Sequence, residues 1–254
     1  MARSFDNLYI GGSWVPAGGA FDDLNPADGS VWARVADGNG GMAVRAIESA
    51  QAAFPHWSGL HYNERAHYML KVADEFERRR DDLVSALQGE GGGWFGKGMF
   101  ESGYVPDVFR AAAAMTYNAI GEVLPSDHGK VSMAMRRPMG VVTVISPWNF
   151  PTLLTARGLA FPIAAGNCVV LKPSEETPYA GGMIFAEIFE AAGVPPGVLN
   201  VVSCSRENLP AVGDMIVEHP LVKGISFTGS TPVGRVVAAK AGAHLKKCCV
   251  ELGG

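Results

Sequence analysis

Cysteine and charge are both scarce in this chain, and several familiar signatures are missing. Only four cysteines occur among 254 residues, at Cys168, Cys204, Cys248 and Cys249. None has the spacing of a metal site and no disulfide framework can be drawn, so no metal and a reducing, cytoplasmic setting are expected. Charged residues make up 18%, with 21 basic against 25 acidic side chains and a net charge of −4. That balance argues against a nucleic-acid partner, and no Lys/Arg stripe offsets it. The basic run Arg78-Arg79-Arg80 is followed at once by Asp81-Asp82 and reads as a solvated helix face. No apolar run approaches the ~20 residues that cross a bilayer, and the N-terminus lacks the apolar core of a secretory leader, so no membrane partner is expected. The glycine-rich stretch 89–98 lacks the Gly-Lys-Ser/Thr ending of a phosphate loop and reads as a connector.

What is present begins with turn signals. Leu8-Tyr-Ile-Gly-Gly-Ser-Trp-Val15 predicts a hairpin, and Asn25-Pro26 with Asp28-Gly29 marks a turn before a strand at 31–35. From Met42 the apolar period becomes helical, with Ala43, Ile47, Ala50 and Phe54 on one face and Pro55 as the stop. A helix over 63–87 and an alanine-rich one over 105–120 are predicted next. Residues 122–138 break that pattern and read as an extended arm, with 130–136 alternating polar and apolar. The remainder alternates regularly: strands at 141–146, 168–172, 198–203, 222–227 and 246–251, and helices at 152–164, 178–192, 208–218 and 231–241. Continuous apolar runs such as Val141-Val-Thr-Val-Ile145 and Cys168-Val-Val-Leu171 suit parallel strands covered on both faces. The expected fold is α/β, an open parallel sheet with an N-terminal hairpin and helices (1–121), the arm (122–138) and the sheet proper (139–254).

Ligands of such sheets bind beyond the carboxyl ends of the strands. Phe227-Thr-Gly-Ser-Thr-Pro-Val-Gly234 reads as strand, turn and helix start, where Gly229 allows a tight turn and Ser230, Thr231 and free N–H groups can meet a phosphate. Taken alone, an ordinary hydroxyl helix cap fits it better. No Gly-x-Gly-x-x-Gly follows the first strand of this half. Lys172 and Glu175, just past the second strand, can hold the two hydroxyls of a ribose, or can simply form a surface ion pair. A carboxylate there repels a 2′-phosphate, which favours NAD over NADP. Pro147 and Pro151 bracket Trp148, Asn149 and Phe150, so Asn149 would be held where an amide can donate to a developing oxyanion; a rigid turn with packed aromatics is the alternative. Glu251 closes an apolar strand and is a candidate general base, or a solvated strand end.

In this order, Pro147-Trp-Asn-Phe-Pro151, Gly166 to Glu175, Ile225 to Thr231 and Glu251-Leu-Gly-Gly254 resemble the aldehyde dehydrogenase superfamily, and the likeness extends through Gly96-Lys-Gly-Met-Phe-Glu101. The resemblance implies a Rossmann-like domain. Ser146, Pro147, Trp148, Lys172, Ser174, Glu175, Phe227, Gly229, Ser230 and Leu252 would contact the cofactor. Asn149 would serve as oxyanion donor and Glu251 as the base that activates water. Phe150, Leu154 and Arg157 would line the substrate channel, in the manner of the branch acting on aromatic aldehydes. The arm would join subunits into a dimer or tetramer. One departure is the loop Ser203-Cys-Ser-Arg-Glu-Asn208, where many relatives have glycine. Another is that the family's nucleophilic cysteine lies beyond Glu-Leu-Gly-Gly, so a chain ending at Gly254 is expected to lack the catalytic domain and to be inactive alone. A stand-alone nucleotide-binding module and a fragment completed by a partner remain the alternatives.

Overall fold

The apolar runs of the C-terminal half form parallel strands at the centre of the molecule, described by a computed structural model over residues 3–253. Gly254, the last residue of the fourth motif, lies outside the described residues. Five short strands come first: β1 (Arg3–Phe5), β2 (Asn7–Ile10), β3 (Ser13–Pro16), β4 (Ala20–Leu24) and β5 (Val31–Ala36). Helices α1 (Gly40–Gly59), α2 (Tyr62–Arg78), α3 (Arg80–Gly89) and α4 (Phe95–Met115) follow. The strands β6 (Gly121–Leu124) and β7 (Ser132–Met135) then pair only with each other, as an exposed antiparallel ribbon. Beyond it come β8 (Val141–Ile145), α5 (Pro151–Ala164), β9 (Cys168–Lys172), a π-helical turn (Tyr179–Met183) leading into α6 (Ile184–Ala191), β10 (Leu199–Val201), α7 (Leu209–Glu218), β11 (Val222–Ser230), α8 (Thr231–Ala243) and β12 (Lys247–Gly253).

The main sheet has seven strands in the order β12-β11-β8-β9-β10-β2-β3. The first five are parallel, and the N-terminal hairpin completes the sheet, β2 running antiparallel to β10. Helix α7 packs between α1 and α8 on the sheet, and α5 and α6 are backed by α2 and α4. Phe76, Phe109, Phe185 and Phe189 join α2, α4 and α6; the Phe76 and Phe109 rings stack at 5.4 Å. Register fixes where the loops fall. Ile145 lies beside Lys172 on one side and Phe227 on the other, and Phe227 lies beside Val250, so four strand ends meet at one edge.

Several sequence expectations give way to tertiary contacts. Pro55 does not end α1, which continues to Gly59 because Trp57 is fully buried and its indole donates to the Ile163 carbonyl at 2.9 Å. The helix expected over 63–87 is two helices broken at Arg79. That side chain turns inward to Glu187 at 2.6 Å and the Tyr179 hydroxyl at 3.1 Å, so it is no part of a solvated face. Helix α4 begins ten residues before the expected 105, inside the glycine-rich stretch read as a connector. A Cβ at Gly98 would sit 3.1 Å from Val84 Cγ1, so glycine lets α4 close on α3, and this packing outweighs the propensity cost of about 1 kcal/mol per glycine. Strands β1 and β4, which join β5 in a separate three-stranded sheet, were not legible. Finally, β12 is an exposed edge strand rather than a covered one.

Candidate functional site

Two concavities flank the edge where the strand ends meet. The first is a cleft of about 640 Å³, built from the loops after β8, β9, β10 and β11. From β8 it receives Ser146, Pro147 and Trp148; from β9, Lys172, Ser174 and Glu175; from β11, Phe227, Gly229 and Ser230. These are the residues expected around the cofactor, except Leu252, which packs under α8 at Gly234 instead. Gly229 does not serve the turn foreseen for it. Strand β11 runs unbroken through Ser230 into α8, and Gly229 lacks the left-handed φ a tight turn would need. It is glycine because a Cβ there would lie 2.7 Å from the Phe227 ring.

The electrostatic centre of the cleft is Lys172, only 3% exposed although it is a lysine. Its ammonium is 3.3 Å from Glu175 Oε2, and Glu175 Oε1 is 3.3 Å from Arg206 Nε. Arg206 also reaches Glu176 at 2.6 Å. Burial by itself would push the Glu175 carboxyl up, but Lys172 and then Arg206 outweigh it and hold the group below the usual carboxylate range. Arg206 belongs to the Ser203–Asn208 loop, whose departure from glycine was visible in the sequence; its reach to Glu175 was not. Two hydroxyl oxygens of this cleft, Ser146 Oγ and Thr177 Oγ1, are buried with no hydrogen-bond partner among the described residues. At α8, the Ser230 N-cap hydroxyl makes no capping bond and Pro232 occupies the first turn. Unused buried hydroxyls, a buried cation and an open helix N-terminus are the donor set that a ribose and a pyrophosphate require.

The second concavity is a more apolar groove of about 980 Å³ between α5 and the β11–β12 edge. It gathers Leu154 and Arg157 from α5 with Glu251 and Cys249 from β12. Arg157 Nη2 lies 3.2 Å from Glu251 Oε1, each side chain 50% exposed. Asn149 and Phe150 line neither concavity. Asn149 is exposed, and its side chain makes no hydrogen bond among the described residues, so the prolines fix its backbone but nothing holds its amide. Phe150 packs edge-on against Phe100 at 6.4 Å with Lys97 Nζ 4.8 Å above its ring. Residues 23, 90, 101 and 206 contribute to this edge and carried no assigned role in the sequence, because their partners lie 30 to 90 positions away.

A parallel α/β sheet with a polar cleft at its carboxyl edge defines the Rossmann-like class of cofactor-binding domains. Within that class the chain belongs to the aldehyde dehydrogenase family, whose sequence model matches residues 14–254. A vanillin dehydrogenase of Pseudomonas fluorescens is 40% identical over 253 residues, covering 97% of this chain and 52% of that protein. A benzaldehyde dehydrogenase [NAD(+)] of Pseudomonas putida is 36% identical over 244 residues, covering 95% and 49%. The crystal structure of a salicylaldehyde dehydrogenase from Pseudomonas putida G7, complexed with salicylaldehyde, superposes with a TM-score of 0.96 at 33% identity, covering 100% of this chain and 52% of that one. The chain thus spans about half the length of the curated relatives it matches. The relatives include aldehyde dehydrogenases of aromatic substrates, as the motifs suggested. Among the described residues no helix is long and apolar enough to cross a membrane.

Proposed function

We propose that this chain is the cofactor-binding part of an NAD-dependent dehydrogenase that oxidises an aromatic aldehyde to its acid through a cysteine thioester. The observation that carries the reading is the buried Lys172–Glu175 pair, in one cleft with the unpartnered Ser146 hydroxyl and the free N-terminus of α8. Lys172 and Glu175 bind the adenosine ribose, and Ser230 with the first N–H groups of α8 meets the pyrophosphate. Glu175 disfavours a 2′-phosphate, so NAD is preferred over NADP. When bound, the nicotinamide supplies the hydride acceptor. Asn149 donates to the oxygen of the attacked carbonyl. Glu251 takes a proton from the hydrolytic water once Arg157 releases it, and Arg157 answers a phenolate or carboxylate on the substrate. The exposed ribbon β6–β7 joins subunits into a homo-oligomer, and the free cysteines suit the cytoplasm.

The nucleophile is assigned to none of the four cysteines. Burial pushes the Cys168 thiol up to about 12 and the Cys204 thiol to about 11, and raises Cys248 as well; Cys249 sits on β12 upstream of the base. The 254-residue chain mixed with NAD and vanillin is therefore expected to form no NADH, read at 340 nm. Steady NADH formation that iodoacetamide abolishes would move the nucleophile into this chain and overturn the assignment. In a polypeptide that joins this chain to a nucleophilic cysteine, Asn149→Ala should lower kcat by about 100-fold.

A further inference from the structure

Helix α5 follows directly on the Pro147–Pro151 loop, yet its own sequence offers no cap. Its N-cap is Phe150, and no local side chain accepts from its first turn. The acceptor comes from Glu101 on α4. Glu101 Oε2 takes the N–H groups of Thr152 at 3.2 Å and Leu153 at 3.1 Å, and the residue is 0% exposed. The other oxygen, Oε1, is 2.5 Å from Lys97 Nζ, one turn earlier on α4. That ammonium also lies 4.8 Å above the Phe150 ring. A buried carboxylate is costly to desolvate unless it is paired and fully hydrogen-bonded. Here a cation, two N–H groups and the positive end of a helix share the task.

The far side of the same turn is fixed as well. The Thr152 hydroxyl donates to the Ala180 carbonyl at 2.8 Å and the Thr155 hydroxyl to Gly181 at 2.9 Å, both carbonyls belonging to the π-helical turn. Asn149 stands one residue before this N-cap. With no hydrogen bond on its own amide among the described residues, the place from which that side chain projects follows from the backbone alone. The backbone in turn is set by the two prolines and by whatever anchors the first turn of α5.

We infer that the Lys97–Glu101 pair is a positioning device for Asn149: Glu101 anchors the N-terminus of α5, Lys97 pins Phe150, and together they hold the oxyanion loop at a fixed angle to the strand edge. The catalytic meaning rests on the role proposed above for Asn149; the anchoring itself does not. Hydrogen–deuterium exchange on the 254-residue chain tests it directly. Glu101→Gln should speed exchange of the Thr152 and Leu153 amides at least about tenfold and loosen the 147–154 peptide, because charge-assisted bonds are replaced by weaker ones. Protection of the 168–172 strand should stay as it was. Lys97→Met, at a partly exposed site, should show the same local loosening in smaller degree, and Lys97→Arg should restore protection. Unchanged 147–154 exchange in both Glu101→Gln and Lys97→Met, or an equal loss across 147–154 and 168–172, would overturn the inference. In an active polypeptide that contains this chain, Glu101→Gln should lower kcat with KM for NAD unchanged. A loosened loop together with an Asn149→Ala variant of full activity supports the anchor and overturns the role given to Asn149.

Discussion

The two concavities at the strand edge are built to different standards. The cleft beside β9 is finished: Lys172 is buried, Glu175 is held between two cations, and polar groups of separate loops close on one another. The groove beside β12 is open: its ion pair is half-exposed and its wall is an edge strand with one neighbour. The contacts proposed for the cofactor all come from loops at a single sheet edge. Of the groups given to the reaction, Arg157 and Glu251 are half-exposed and paired only with each other, and the Asn149 amide makes no hydrogen bond among the described residues. On the proposed reading, the contacts to the dinucleotide are local to one cleft, while the groups given to the reaction sit at its more open neighbour.

That contrast can be broken by substitution, beginning with the largest effect. Lys172→Met leaves Glu175 partly buried with only Arg206 for company. It should abolish measurable NAD binding and cost about 3 kcal/mol of stability in urea unfolding; a cost below about 1 kcal/mol would mean the cleft is no better built than the groove. The floor of the cleft gives a pH signature. Burial and the charge of Glu176 raise Asp23 to about 7, against the lowering effect of its hydrogen bond with Glu90, and burial raises Glu90 itself well above the usual carboxylate range. A carboxyl raised on folding stabilises below its unfolded pKa, and this is lost as pH rises through the folded value. Stability should therefore fall by about 2 kcal/mol between pH 5 and pH 8, and Asp23→Asn should flatten that decline. The groove should respond least. Arg157→Ala removes an exposed pair and should change stability by less than about 0.5 kcal/mol, with NAD affinity untouched.

Most of the finished side was legible in sequence, because its parts are local. The runs 141–145 and 168–172 announce covered parallel strands, and Lys172 and Glu175 are three residues apart. The open side misled for a physical reason: the short run Cys248-Cys-Val250 is apolar like part of a central strand, and apolarity cannot tell an edge from a centre. Pro55 misled because a buried tryptophan two residues on carries the helix past it. Arg79 was hidden in a run of three arginines whose periodicity says nothing of a break. Glu101 was read inside a family motif, but its partners are the backbone N–H groups of Thr152 and Leu153, which no sequence pattern marks.

Isothermal titration of NAD and NADP into the 254-residue chain, wild type and Glu175→Gln, tests the central claim most directly. Saturable one-site NAD binding, weakened about tenfold by the substitution while the preference over NADP narrows, is the predicted result. No heat of NAD binding to the folded wild-type chain, or equal NAD affinity in both proteins, would contradict it.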